Sequence, residues 1–355
     1  MEPQAFKVVL YAIGFTLALF ITLALVPLVR HYALAAGFMD KPDERKIHKE
    51  PIPRLGGFAL WAGFMLTLWI MFHQTPMGYS LIGIMLGGTI MFMLGLVDDL
   101  VTLSPYLKLA VQFIAALLAY DFHVQIITLD LPGSKLIVLN ALSLPITVLW
   151  LVGFSNALNF IDGIDGLAAG VVSIAALTMV VVGVFTGKPT EALLAAMLAG
   201  AAMGFLAYNF HPAKIFMGDS GSLFCGFMLA ALAVTGALKT KVVVMLLPLF
   251  VLCVPLMDIS YAVLRRLFKG KNPFLPDSEH IHHQFLKLGM SQTRAVFYFY
   301  GFCVAGGVIA TWYLNYQWAY LGLIIGQFTL GALLILGVRK FFPLTSLPAT
   351  PKNKN

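Results

Sequence analysis

The stretch Asn156-Ala-Leu-Asn-Phe-Ile-Asp-Gly-Ile-Asp-Gly-Leu167 puts two amides and two carboxylates into a chain that is 60% hydrophobic and 11% charged. Asn156, Asn159, Asp162 and Asp165 follow one another at three-residue intervals, so a helical segment would stack them on one face. Gly163 and Gly166 permit a local break or a close approach of backbone to ligand. One of the two carboxylates could be only the N-cap of a following helix, but capping cannot employ all four groups. Four more polar clusters stand out. They are Asp98-Asp99 in "LVDDL", Asp219 in "HPAKIFMGDSGS", the trio His280, His282 and His283 in "PDSEHIHHQF", and "DERKIHKEPIPRLGG" with His48 and Arg54.

Hard carboxylate and amide oxygens without an accompanying cysteine set suit magnesium, or manganese. Magnesium is commonly held by one or two protein oxygens together with substrate phosphates, so a diphosphate substrate is implied. Adjacent helical residues point about 100° apart, so Asp98 and Asp99 should have separate roles, one of them as a general base. Asp219 sits on a glycine-flanked turn at the start of an apolar run. It is expected to hold the metal, with free N–H groups beside it for phosphate oxygens, although a plain helix cap is the alternative. "HIHH" lacks the i, i+4 pair of a zinc protease helix, and its histidines suit phosphate or sugar oxygens better.

The elements that must carry these groups are membrane helices. Apolar runs of about 17–25 residues match the span of a bilayer. Eleven are found, near 6–29, 55–72, 80–97, 107–120, 141–158, 166–186, 192–209, 221–237, 242–264, 295–314 and 318–338. Long runs in lipid leave helices as the reading, hence an all-α polytopic membrane protein. The first run is too long for a signal-peptide core and is read as a permanent span. Cys225, Cys253 and Cys303 lie inside apolar runs, which argues against disulfides or zinc.

With the N-terminus outside, 18 of the 23 lysines and arginines fall in inside loops and inside helix ends, which sets the C-terminus in the cytoplasm. All five polar clusters then face the cytoplasm. Ionisable groups at membrane depth are costly and mark functional sites, and five on one side outweigh a reading as solvated helix ends. The formal charge of +7 reflects these short loops rather than a nucleic-acid surface. Residues 121–140, alternating β-branched side chains around Pro132-Gly133-Ser134, read as a small external β-hairpin. Residues 1–340 are expected to form one catalytic membrane domain, and 341–355 a disordered tail.

"LVDDL", "NALNFIDGIDGL", "FMGDSGSL" and "HIHHQFLKLGMS", in this order, closely resemble the polyprenyl-phosphate N-acetylhexosamine-1-phosphate transferases. These integral membrane enzymes move a sugar-1-phosphate from a UDP-sugar onto a polyprenyl phosphate. The resemblance runs from about Arg45 to Arg294. It is nearest to the bacterial UDP-GlcNAc:undecaprenyl-phosphate GlcNAc-1-phosphate transferases that begin teichoic acid, O-antigen or common-antigen synthesis, through the His-x-His-His loop and "KIHKEPIPRLGG". The branch that transfers phospho-MurNAc-pentapeptide has three consecutive histidines and about ten spans, and this sequence departs from both.

The resemblance implies that Asp219 ligates Mg²⁺ with Asn159 as second oxygen ligand, and that Asp98 is the base toward the lipid phosphate with Asp99 nearby. Asp162 and Asp165 would belong to the nucleotide and metal surroundings, with Asn156 beside them. His280, His282 and His283 would contact diphosphate or sugar, and Lys108, His48 and Arg54 the phosphate charge. It also implies a homodimer and a bacterial plasma-membrane location. An ion-coupled transporter is the competing class. Transporter sites lie near the bilayer midplane, however, whereas these acids gather at one surface.

Overall fold

The computed structural model describes residues 3–40, 51–74, 77–129, 137–237 and 291–313. Among them are nine α-helices: α1 Pro3–Ala36, α2 Gly56–Phe72, α3 Tyr79–Leu100, α4 Pro105–Asp121, α5 Ser143–Ile161, α6 Leu167–Phe185, α7 Pro189–Asn209, α8 Gly218–Ala237 and α9 Gln292–Tyr313. Each matches an apolar run expected to be a span. The runs at 242–264 and 318–338, and the tail, lie outside the described residues. Six segments are long and apolar enough to cross a membrane: Lys7–Ala36, Tyr79–Leu100, Asn140–Ile161, Leu167–Phe185, Pro189–Asn209 and Gly218–Gly236. The chain is thus an all-α polytopic membrane protein.

α1 runs farther than its apolar stretch. It continues through Arg30-His31-Tyr32 to Ala36, where Gly37 turns left-handed and the Phe38 N–H reaches back to the Ala33 carbonyl at 3.0 Å, closing the helix end. α4 starts where Ser104 accepts the Leu107 N–H at 3.3 Å and Pro105 supplies a first helical residue that needs no donor.

α8 is the hub. It packs on α2, α3, α5, α6 and α7 and is almost wholly buried, whereas α1 at the periphery is largely exposed. The cause is sequence: Gly221, Cys225, Gly226, Ala230 and Ala231 let neighbouring backbones close in, while Phe224 and Phe227 fill the gaps between them. Cys225 and Cys303 are buried, and Cys253 lies outside the described residues. The outer surface displays Phe20, Trp69, Ile114 and Leu149, a liability in water and a natural lipid contact.

Two short antiparallel ribbons finish the architecture. β3 Thr128–Leu129 pairs with β4 Ile137–Val138, at the end of α4 remote from Lys108. This ribbon falls within the expected hairpin, and its Pro132-Gly133-Ser134 tip is outside the described residues. β1 Met39–Asp40 pairs with β2 Ile52–Pro53, a feature with no counterpart in the sequence reading. Beyond β2 the chain keeps pairing. Phe216 N–H donates to the Pro53 carbonyl at 2.8 Å, Gly56 N–H to Phe216 at 3.0 Å and Gly57 N–H to Met217 at 2.8 Å. The segment that launches α8 is thereby laced to the start of α2.

Candidate active site

Four helix ends and one turn meet where the polar residues collect: the last turn of α3, the first of α4, the last of α5, the turn between α5 and α6, and the first turn of α8. Asp98 and Asp99 point apart, as their helical offset requires. Asp98 accepts the Leu103 N–H on Oδ1 at 2.8 Å and Lys108 Nζ on Oδ2 at 2.9 Å. Lys108, in the first turn of α4, also reaches Asp219 Oδ2 at 2.5 Å. One ammonium therefore bridges two carboxylates from α3 and α8, all three side chains being largely buried.

Asp99 does something different. Its Oδ1 accepts the Asp219 N–H at 2.9 Å, and its Oδ2 accepts the Ser220 N–H at 3.1 Å and the Ser220 hydroxyl at 2.7 Å. The Gly218 N–H is taken by Asp162. The opening N–H groups of α8 are thus satisfied by carboxylates from α3 and from the turn after α5, which also favour the positive helix end. This corrects the expectation that these N–H groups stand free for phosphate oxygens. The close fit depends on Gly95, where a Cβ would lie 2.3 Å from the Asp219 carbonyl carbon and oxygen, and on Gly218, whose φ of +73° suits glycine.

The stretch from Asn156 to Asp165 divides. α5 ends at Ile161 with Asp162 as its C-cap, so the helical stacking holds only for Asn156 and Asn159. Asn156 and Gln112 of α4 exchange amide hydrogen bonds at 2.6 and 3.3 Å, clasping the two helices. Asn159 donates to Ser222 Oγ at 2.9 Å and its side chain also contacts the Asp219 carboxylate. Neither aspartate caps α6, whose N-cap is Gly166 in a left-handed conformation. Asp165 is drawn away instead, pairing with His211 Nδ1 at 2.8 Å and accepting the Ala213 N–H at 3.1 Å. Loss of water around the Asp162 carboxyl pushes it well above the ordinary carboxylate range. The negative charges of Asp219 and Asp99 add to that, and Arg54 and the Gly218 N–H oppose it.

Arg54 lies at the edge of this cluster, 3.3 Å from Asp40. His48, His280, His282 and His283 fall outside the described residues. Several participants escaped the sequence reading. Gln112 carried a signal, being a polar side chain one turn beyond Lys108 inside an apolar run. Ser220 and Ser222 sat in a cluster already noticed. Asn209, which accepts the Gly166 N–H at 3.0 Å and donates to the Ile215 carbonyl at 3.0 Å, and Tyr300 of α9, whose hydroxyl donates to the Gly166 carbonyl at 2.6 Å, carried none.

Among the described residues no trio of His, Cys, Asp or Glu closes into a metal cage. The donors present are instead Asp219, Asp98 and Asn159 with Asp162 nearby, an oxygen-rich and anionic set around one lysine. That set fits a magnesium ion completed by substrate phosphates and does not fit a metal held by protein alone.

The helix ends thus gather four aspartates, an asparagine and one lysine into a single polar cluster in a membrane bundle, and comparison with known proteins says which family carries it. A family model described as glycosyl transferase family 4 matches residues 81–237, which contain Asp98, Asp99, Lys108, Asn159, Asp162 and Asp219. The chain is 34% identical to a probable undecaprenyl-phosphate N-acetylglucosaminyl 1-phosphate transferase of Bacillus subtilis, over 83% of this chain and 82% of the relative. It is 33% identical to a decaprenyl-phosphate N-acetylglucosaminephosphotransferase of Mycobacterium tuberculosis, over 94% and 88%. It is 32% identical to an undecaprenyl-phosphate alpha-N-acetylglucosaminyl 1-phosphate transferase of Escherichia coli, over 78% and 76%. The chain belongs to glycosyl transferase family 4, the membrane enzymes that transfer a sugar-1-phosphate to a polyprenyl phosphate.

Proposed function

We propose that the chain transfers GlcNAc-1-phosphate from UDP-GlcNAc to undecaprenyl phosphate, releasing UMP and forming the lipid-linked diphosphate sugar that starts a cell-envelope polysaccharide. The observation that carries this reading is the Asp98–Lys108–Asp219 bridge at converging helix ends. It supplies a base, a mobile cation and a metal-binding carboxylate where a membrane lipid and a soluble nucleotide can meet. The relatives' names support the sugar and the acceptor.

In this scheme an oxygen of the lipid phosphate attacks the β-phosphorus of UDP-GlcNAc. The bond from that phosphorus to the bridging oxygen breaks, and UMP leaves with the oxygen. Asp98 takes the proton when the lipid phosphate arrives monoprotonated, and Lys108 offsets charge on the diphosphate. Asp219 and the Asn159 amide oxygen would hold Mg²⁺, or Mn²⁺, which supplies electrostatic stabilisation of the diphosphate charge. Direct attack is preferred over an aspartyl intermediate, since a metal-bound Asp219 is a poor nucleophile. Asp99, spent on the start of α8, serves as a positioning residue, and so does Asp165, spent on the 211–213 turn. Asn156 braces α4 against α5. His280, His282, His283 and His48 remain assigned to diphosphate or sugar by resemblance alone.

The protein takes eleven spans in the bacterial plasma membrane, N-terminus outside and C-terminus and active site in the cytoplasm. It works as one domain over 1–340 with a tail over 341–355, as a homodimer. The distribution of basic residues supports the orientation. The position of the acids at helix ends, away from mid-helix, disfavours an ion-coupled transporter. Purified protein with labelled UDP-GlcNAc, undecaprenyl phosphate and Mg²⁺ should form UMP and lipid-linked GlcNAc-phosphate, and EDTA should abolish both. Inactivity with every UDP-sugar tried would overturn the assignment, and preference for UDP-MurNAc-pentapeptide would move it to the peptidoglycan branch.

A further inference from the structure

Lys108 holds an unusual position. Its ammonium sits on Asp219, the carboxylate assigned to the metal, while its second contact is Asp98, whose other oxygen is fixed by the Leu103 N–H. The three side chains are largely shielded from solvent, so their charges are weakly screened. A divalent cation arriving at Asp219 therefore meets both a carboxylate already engaged and a neighbouring positive charge. Among the described residues the other cation whose field reaches the cluster, Arg54, is paired with Asp40 at 3.3 Å. That leaves Lys108 as the group that must yield.

We infer that Lys108 and the divalent cation compete for Asp219, with Asp98 as the pivot on which Lys108 swings, so that a nucleoside diphosphate, by offering Lys108 another anion, tightens cation binding. The inference rests on the assignment of Asp219 as metal ligand and adds to it a coupling between metal and nucleotide. Such a coupling is reciprocal: the cation must tighten nucleotide binding by the same factor. It gives the enzyme joint loading, because neither ligand is held firmly until both are present. Lys108 then does two things in sequence, neutralising the carboxylates first and the diphosphate afterwards.

The test measures Mn²⁺ binding by electron paramagnetic resonance on the purified full chain, without lipid acceptor and with or without UDP-GlcNAc. Lys108→Met should bind Mn²⁺ about tenfold more tightly than the wild type in the absence of nucleotide, within the usual range of site-to-site couplings. Lys108→Arg, which keeps the charge, should bind it as weakly as the wild type. UDP-GlcNAc should tighten Mn²⁺ binding in the wild type by a larger factor than in Lys108→Met. Thermal unfolding provides a second reading that needs no turnover. Mn²⁺ should raise the melting temperature more in Lys108→Met, or in Lys108→Gln where the methionine variant fails to fold, than in the wild type. Equal or weaker Mn²⁺ binding by the neutral variants would overturn the competition. Wild-type Mn²⁺ affinity in Asp219→Asn would instead overturn the metal assignment beneath it, which keeps the two failures apart.

Discussion

Two neighbouring aspartates do unlike work because a helix turns them apart. Asp98 faces Lys108, which it shares with Asp219, and Asp99 faces the start of α8. As a carboxylate, Asp99 offers two acceptor oxygens to three donors. Asparagine has one acceptor, and its NH₂ would confront an N–H or O–H that can no longer be satisfied. Asp99→Asn should therefore cost about 1–3 kcal/mol of stability. It should also lower kcat more than it raises KM, since Asp219 loses its aim while substrate contacts persist. Thermal unfolding and UMP release check the two halves. The carboxylates themselves were legible in the sequence, because an acid in an apolar chain is rare and costly to place there. Their partners were not. Whether Asp165 caps a helix or grips His211 depends on which loop lies across from it, and no local spacing records that.

At the level of elements, α8 is positioned from three sides. α3 contributes Asp99 and a smooth face at Gly95, the segment before α2 adds backbone hydrogen bonds, and α5 brings Asn159 against Ser222. Replacing Gly95 with alanine puts a methyl group into the Asp219 backbone. The helices must separate, at about 1–3 kcal/mol for overpacking. Gly95→Ala should then lose most of its turnover while still inserting into the membrane, as measured by UMP release against the amount of folded protein recovered. Helix existence was legible from the lengths of apolar runs, and α2 to α8 begin and end close to where those runs do. The pairing of β1 with β2 and on to Phe216 and Met217 was not, for its strands are two residues long and one partner is far off in sequence. Segments that short carry no periodicity to read.

For the whole molecule, the polar cluster and the β3–β4 ribbon lie at opposite ends of α4, so a probe of one end tests the sidedness of the other. Val138 on β4 is 52% exposed. With the outward N-terminus, Val138→Cys should react with a membrane-impermeant maleimide added to intact cells, and protection until the cells are opened would reverse the proposed orientation. The described native thiols, Cys225 and Cys303, are buried and should contribute little background.

The hydroxyl of Tyr300 on the Gly166 carbonyl bears on how the chain can be divided. Residues 81–237, the stretch that the family model matches, hold Asp98, Asp99, Lys108, Asn159, Asp162 and Asp219. Yet the turn that presents Asp162 and Asp165 is fastened from α9, more than 130 positions downstream of Gly166. Motif content and mechanical completeness thus have different borders, and a fragment ending at α8 would keep those six side chains while losing the tether on the turn that carries Asp162.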